Sequence, residues 1–199
     1  APEVLVSGSA VGFYGDQGAT TVTEDTSPND EFTHRLCRDW ENAAKILAED
    51  GVRVCFSRTG VVAGPDGGFL ERMILPFKLG LGGRLGSGKQ FMPWVHRDDV
   101  VGALIWMMEN PSASGPFNVV SPNPATNAEF TRSLGKVLHR PTLFPAPAPV
   151  LKIALGEMAR LLLTGQKAVP EKLINQGFQF RYPDLEPALA QSIAPGASR

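Results

Sequence analysis

Three short apolar runs constrain the fold more than any other feature of the chain. They are Val4-Leu5-Val6, Val52 to Phe56, and Phe117 to Val120. Each is bounded by Gly, Pro or Ser and is too short for a buried helix, so each reads as a strand covered on both faces. Helical patterns separate them, and strand–helix alternation of this kind builds a parallel α/β sheet. The first helix is predicted to open at Ser27-Pro28, a cap followed by a first-turn proline, with Asp30 three residues after the cap. Phe32, Leu36, Trp40, Ala43, Ala44 and Leu47 then share one face, which predicts that this face packs inward. A second helix is expected after Asp98-Asp99. Thr126-x-x-Glu129 is a capping box opening a third, with Phe130, Leu134 and Val137 inward.

The character changes near Pro141. Pro141, Pro145, Pro147 and Pro149 make a stiff connector, and short helical stretches follow over 150–163, 170–175 and 185–191. The expected organisation is therefore a main α/β unit over 1–140 and a small, mainly helical subdomain over 141–199. Residues 65–93 form a long excursion inside the first unit, with an apolar patch and then a glycine cluster. Excursions of this length usually cover a site.

Composition narrows the function classes. Nineteen Lys and Arg balance twenty Asp and Glu, so a broad nucleic-acid footprint is not expected. No run of about 18 apolar residues exists, so no spanning segment is expected and a membrane is not among the expected partners. Cys37 and Cys55 lack CxxC or Cys/His spacing, which predicts reduced cysteines, a cytoplasmic setting and no metal site. No basic-then-apolar leader is visible, and the chain opens on Ala1 rather than Met.

Two glycine patterns imitate nucleotide-binding motifs. Gly80-x-x-Gly83-x-x-Gly86 has dinucleotide-fingerprint spacing, but an apolar helical patch precedes it and Phe91-Met92-Pro93-Trp94 follows. The fingerprint works only as a strand-to-helix turn. Gly83-x4-Gly88-Lys89 resembles a phosphate loop, but Gln90 stands where a hydroxyl would reach magnesium. Both read as a flexible flap.

The first strand ends in Ser7-Gly8-Ser9-Ala10-Val11-Gly12-Phe13-Tyr14-Gly15, the second in Arg58-Thr59-Gly60-Val61-Val62-Ala63-Gly64-Pro65, and Trp94-Val95-His96-Arg97-Asp98-Asp99-Val100 comes later. With Cys37-Arg38-Asp39-Trp40-Glu41 and Gly86-Ser87-Gly88-Lys89-Gln90, this wording resembles an atypical subgroup of the extended short-chain dehydrogenases/reductases. Its members are described as epimerase-family proteins or nucleoside-diphosphate-sugar epimerases. The resemblance covers nearly the whole chain. It implies the later half of a Rossmann-like, doubly wound parallel sheet, with the Gly-rich pyrophosphate turn of the family lying before Val4 and outside these residues. It also implies NADP as cofactor, a small polar or sugar-nucleotide-like substrate, and room for a homodimer.

The wider family uses a Tyr-x-x-x-Lys pair. The Tyr hydroxyl exchanges a proton with the substrate, and the Lys holds the ribose and lowers the Tyr pKa. Matching on Glu41 puts Thr33 at the Tyr position and Cys37 at the Lys position. Ser9 remains as the hydroxyl that meets a reacting oxygen, unless it merely caps its turn. His34 is the candidate replacement proton donor, against a solvent-facing helix residue. The resemblance places Ser7, Gly8, Cys37, Arg58, Gly60 and Val61 toward the cofactor, with a buried ion pair as the rival role for Arg58. Tyr14, Lys89, Gln90 and Trp94 are placed toward the substrate, with loop packing as the rival for Tyr14 and a solvated tip for Lys89 and Gln90. Met92 stands where sugar-nucleotide epimerases often carry an Arg. The implied activity is NADP-dependent oxidoreduction or epimerisation. The alternative is an NADP-binding sensor or interaction protein without turnover, since some relatives are labelled cell-division inhibitors.

Overall fold

The structure is a computed structural model that describes residues 2–65 and 67–194. Residue 66 of the 65–93 excursion and residues 195–199 of the C-terminal piece lie outside the described residues, as does residue 1.

The first strand, β1 (Val4–Ala10), leads through a 3-10 turn (Val11–Tyr14) and the two-residue β2 (Thr21–Val22) to helix α1 (Phe32–Glu49). The chain returns as β3 (Arg53–Thr59) and continues through β4 (Val61–Ala63), α2 (Gly68–Lys78), β5 (Phe91–Met92), β6 (Trp94–His96) and α3 (Arg97–Glu109). Next come β7 (Gly115–Val119), β8 (Ala125–Thr126) and α4 (Asn127–Val137). The C-terminal piece holds α5 (Ala148–Leu155), α6 (Ala159–Leu163), β9 (Lys167–Ala168), α7 (Glu171–Asn175) and α8 (Leu185–Ile193).

All three predicted strands pair in parallel, in the order β1-β3-β7. The register sets Ser9 opposite Arg58 and Arg58 opposite Asn118, so three polar residues line up across the sheet. Alternation along β3 explains its continuous burial. Cys55 packs with Ala103 and Met107 of α3, whereas Phe56 and Arg58 face Lys45 and Glu41 of α1 on the other side. The sheet therefore carries helices on both faces, as the fold class requires.

Local signals hold where a cap is encoded. Thr126 and Glu129 form both bonds of the capping box. His96 itself caps α3, its Nδ1 accepting from the Asp98 N–H at 3.1 Å, ahead of the expected Asp98 cap. The start of α1 differs. The helix begins at Phe32 after Glu31, and Ser27-Pro28 lies in the irregular segment before it. Its orientation differs too. Phe32, Leu36, Trp40 and Leu47 are exposed, while His34, Cys37 and Glu41 are buried against the sheet and the 3-10 turn. The polar stripe is inward because an arginine on β3 awaits it.

The C-terminal helices share cores with the main unit. Ala188 and Leu189 of α8 pack with Leu70 and Phe77 of α2, Trp94, and Phe130 and Leu134 of α4. Leu173 of α7 joins the core between the sheet and α3. No separate core divides the described residues at position 140. The excursion is likewise anchored by Leu70 and Phe77 and is not a free flap. Its glycines permit a chain crossing: a Cβ on Gly83 would stand 1.9 Å from the Phe144 carbonyl oxygen.

Candidate functional site

The carboxyl ends of parallel strands are where open α/β sheets bind ligands. Here that edge sits on a buried polar network. Ser9 Oγ donates to Glu41 Oε1 at 2.8 Å. Arg58 grips the same carboxylate with two N–H groups, Nε to Oε1 at 2.8 Å and a terminal nitrogen to Oε2 at 2.9 Å. The other guanidinium nitrogen donates to the Tyr14 hydroxyl at 3.0 Å, and Tyr14 donates onward to Asn118 Oδ1 at 2.7 Å. Asn118 in turn gives its side-chain N–H to the Val169 carbonyl and its backbone N–H to Glu24 Oε1. Glu24 also receives the backbone N–H of Lys172, tying the segment after β2 to β7 and α7.

Burial makes the network stringent. Arg58 and Glu41 are 5% and 2% exposed, and the bidentate geometry supplies the hydrogen bonds that a desolvated ion pair needs. The Phe13 ring lies 3.5 Å from the guanidinium carbon, adding a cation–π contact. Burial pushes the Tyr14 phenol up to about 12 despite the nearby Arg58 cation. Burial also raises the Glu24 carboxyl, against the backbone N–H groups that lower it. The Cys37 thiol is raised for the same reason, opposed by the Ala10 backbone and reinforced by the Glu41 charge.

Ser9 is at the carboxyl end of β1, beside half-buried Ser7 and exposed Gly8. A Cβ on Gly8 would meet nothing within 4 Å, so the strand end is open there. Because Glu41 can only accept, the Ser9 proton points to it and the serine oxygen keeps its lone pairs. His34 turns Nδ1 to the Phe13 carbonyl at 2.7 Å, so Nδ1 carries the proton and Nε2 is the nitrogen left to act. His34 is buried, not solvent-facing. Cys37 lies on the same inward stripe, under Ser9 and Ala10.

Most of the other candidates make contacts within the chain. Arg58 forms the buried ion pair with Glu41, the second of the two roles open to it. The Gly60 N–H bonds the Val119 carbonyl and the Val61 N–H bonds Pro93, so both donors are engaged by neighbouring chain. Gly60 is glycine because a Cβ would stand 2.1 Å from the Pro93 oxygen. Tyr14 is fully buried and packs the loop. Trp94 is a core residue, with Nε1 donating to the Asn123 carbonyl. Gln90 uses its amide nitrogen to bind the carbonyls of Leu85 and Leu162, holding the excursion to α6. Lys89 is exposed near it. Among the described residues no group of three or more His, Cys, Asp or Glu could hold a metal. No helix there is long and apolar enough to cross a membrane.

Sequence reasoning missed Glu41, Asn118 and Glu24 as members of the network. Glu41 carried a usable signal, since it falls four residues after Cys37 and seven after His34 on one helix face. Asn118 and Glu24 carried none.

Comparisons with known proteins identify the family and the fold. The NAD dependent epimerase/dehydratase family matches residues 1–121, and a domain of unknown function matches 146–192. The chain is 44% identical over 194 residues to the epimerase family protein Mb2239 of Mycobacterium bovis, covering 96% of this chain and 64% of that protein. It is 41% identical to the epimerase family protein YfhF of Bacillus subtilis, again covering 64% of the relative. A crystal structure of the human epimerase family protein SDR39U1 with NADPH superposes with a TM-score of 0.92 at 38% identity, over 96% of this chain and 65% of that one. The UDP-glucose 4-epimerase of Thermus thermophilus shares the fold, with a TM-score of 0.71 at 16% identity over 94% of this chain and 62% of that one. The chain spans just under two thirds of the length of the curated relatives it matches. It belongs to the NAD dependent epimerase/dehydratase family, in the atypical epimerase-family branch of the short-chain dehydrogenases/reductases.

Proposed function

We propose that these residues form the substrate-side part of an NADP(H)-dependent oxidoreductase or epimerase acting on a sugar-nucleotide-like or other small polar substrate. The observation that carries this reading is Ser9, held by Glu41 at the open carboxyl end of β1. The solved human relative with NADPH supports the choice of cofactor. So does exposed Gly8, which leaves room for a flat ring against the backbone. When bound, that cofactor supplies hydride chemistry at its nicotinamide. The chain's own part is to orient the reacting group at Ser9 and to offer His34 Nε2 as the proton site that Thr33 cannot be. Two free, buried cysteines support a cytoplasmic setting. The exposed apolar stripe of α1 supports pairing of two copies.

The rival is a cofactor-binding protein without turnover, and one observation favours it. Cys37, at the position of the family lysine, is a buried thiol whose pKa is raised, so it supplies no cation for a ribose or a phenolate. The discriminating test is NADPH oxidation and NADP reduction against carbonyl and nucleotide-sugar panels, using the longest natural chain that contains these residues. Turnover that falls in both Ser9→Ala and His34→Ala supports the enzyme reading. Tight cofactor binding with no turnover, or turnover indifferent to both substitutions, defeats it.

A further inference from the structure

One pole of the molecule combines exposed apolar side chains with an excess of cations. Helix α5 has no buried residue and packs chiefly against α6 and the 3-10 turn between them (Gly156–Met158), so it stands out as a protruding hairpin. Leu143, Phe144, Val150, Ile153, Met158 and Leu161 are 56–87% exposed along it. Leu79 and Leu81 of the excursion extend this surface. The two segments are laced together: Phe144 N–H bonds the Gly82 carbonyl, Ala146 N–H bonds Arg84, and Gly86 N–H bonds Ala146.

The charge of this pole is one-sided. Residues 68–90 and 139–164 carry seven Lys or Arg against two acidic residues, Glu71 and Glu157, in a chain whose net charge is -1. All seven cations are exposed, although Arg160 also reaches Glu31. An apolar patch of this extent on a small protein marks an interaction surface. Its exposed, mainly aliphatic side chains, carried on segments rich in long basic ones, suit shallow insertion into a headgroup layer, where Lys and Arg stay at the phosphates. Two copies of the same basic pole would repel each other. A protein hot spot usually centres on buried aromatic or Arg anchors in a pocket, which a protruding aliphatic hairpin does not offer.

We propose that the α5–α6 hairpin docks the molecule on an anionic lipid bilayer surface. This is surface attachment and not spanning, and it stands independently of the catalytic reading.

The test is co-sedimentation of the longest natural chain that contains these residues with phosphatidylglycerol/phosphatidylcholine vesicles and with phosphatidylcholine vesicles alone. Binding to the anionic vesicles is expected to exceed that to neutral ones by about tenfold or more and to weaken with salt. The double substitution Ile153→Ser and Met158→Ser, which keeps the charge, is expected to lower anionic-vesicle binding by about tenfold. So is Lys152→Glu with Arg140→Glu, which keeps the apolar surface. Circular dichroism and melting of each variant establish that it is folded, which exposed positions should allow. A chain that stays in the supernatant overturns the proposal, as does equal binding to neutral vesicles or an Ile153/Met158 variant that binds like the parent. Capture of an acidic amphipathic peptide without vesicle binding would assign the face to a protein partner and also overturn it.

Discussion

Ser9 Oγ lies 2.8 Å from Glu41 Oε1, so the one serine of the family pattern that this chain keeps at a strand end is hydrogen-bonded to a carboxylate already held by Arg58. The strand-end hydroxyl and the buried ion pair are therefore one unit. Any change to Glu41 is felt at Ser9.

Glu41→Gln should cost about 3–5 kcal/mol of folding stability, because it leaves the buried Arg58 cation without its counter-charge. Chemical denaturation checks this. A loss below about 1 kcal/mol would mean that the pair is worth no more than a surface contact.

Tyr14 is expected to ionise near 12, seen as late phenolate absorbance that is missing in Tyr14→Phe. Its raised pKa means that the folded state favours the neutral phenol. The associated stability is present below the ordinary value of 10.0 and is lost as pH rises through about 12. Tyr14→Phe should also cost about 1–3 kcal/mol at neutral pH, since Asn118 and Arg58 each lose a buried partner. Phenolate absorbance that is complete near 10 would refute the enclosed position of the ring.

Glu24 titrates in the same direction. Its folded pKa is raised above 4.5 by burial, so the protonated form is favoured in the fold. Its contribution to stability is full below 4.5 and declines as pH rises through the raised value. Comparing melting of the parent and Glu24→Gln across this range should show the variant with a flatter pH dependence on the alkaline side. Parallel curves would contradict the assignment.

Gly83→Ala should destabilise by roughly 1–3 kcal/mol, because the added methyl meets the Phe144 carbonyl oxygen and backbone must move. Gly80→Ala is the contrast: a Cβ there has open space but a φ of 76° makes it strained, so its smaller cost is conformational. Thermal melting separates the two. A Gly83→Ala variant as stable as the parent would show that the crossing of 82–86 with 144–146 is looser than described.

The sequence alone was enough for the elements whose signals are local. The three parallel strands follow from short apolar runs that only a sheet covered on both faces can bury. The third-helix start follows from Thr126 and Glu129, whose partners lie within one turn. The strand-end location of Ser9 and the family follow from the order of the motifs. The tertiary structure decided what depends on residues far apart in the chain. Arg58 finds Glu41 seventeen residues away, and Tyr14 finds Asn118 across 104. Periodicity sees only that Phe32, Leu36 and Trp40 share a face of α1; it cannot see that β3 presents an arginine to the opposite face. A buried cation in need of two carboxylate oxygens outweighs the gain from turning that apolar stripe inward. The polar stripe therefore faces the sheet, and the site is built on it.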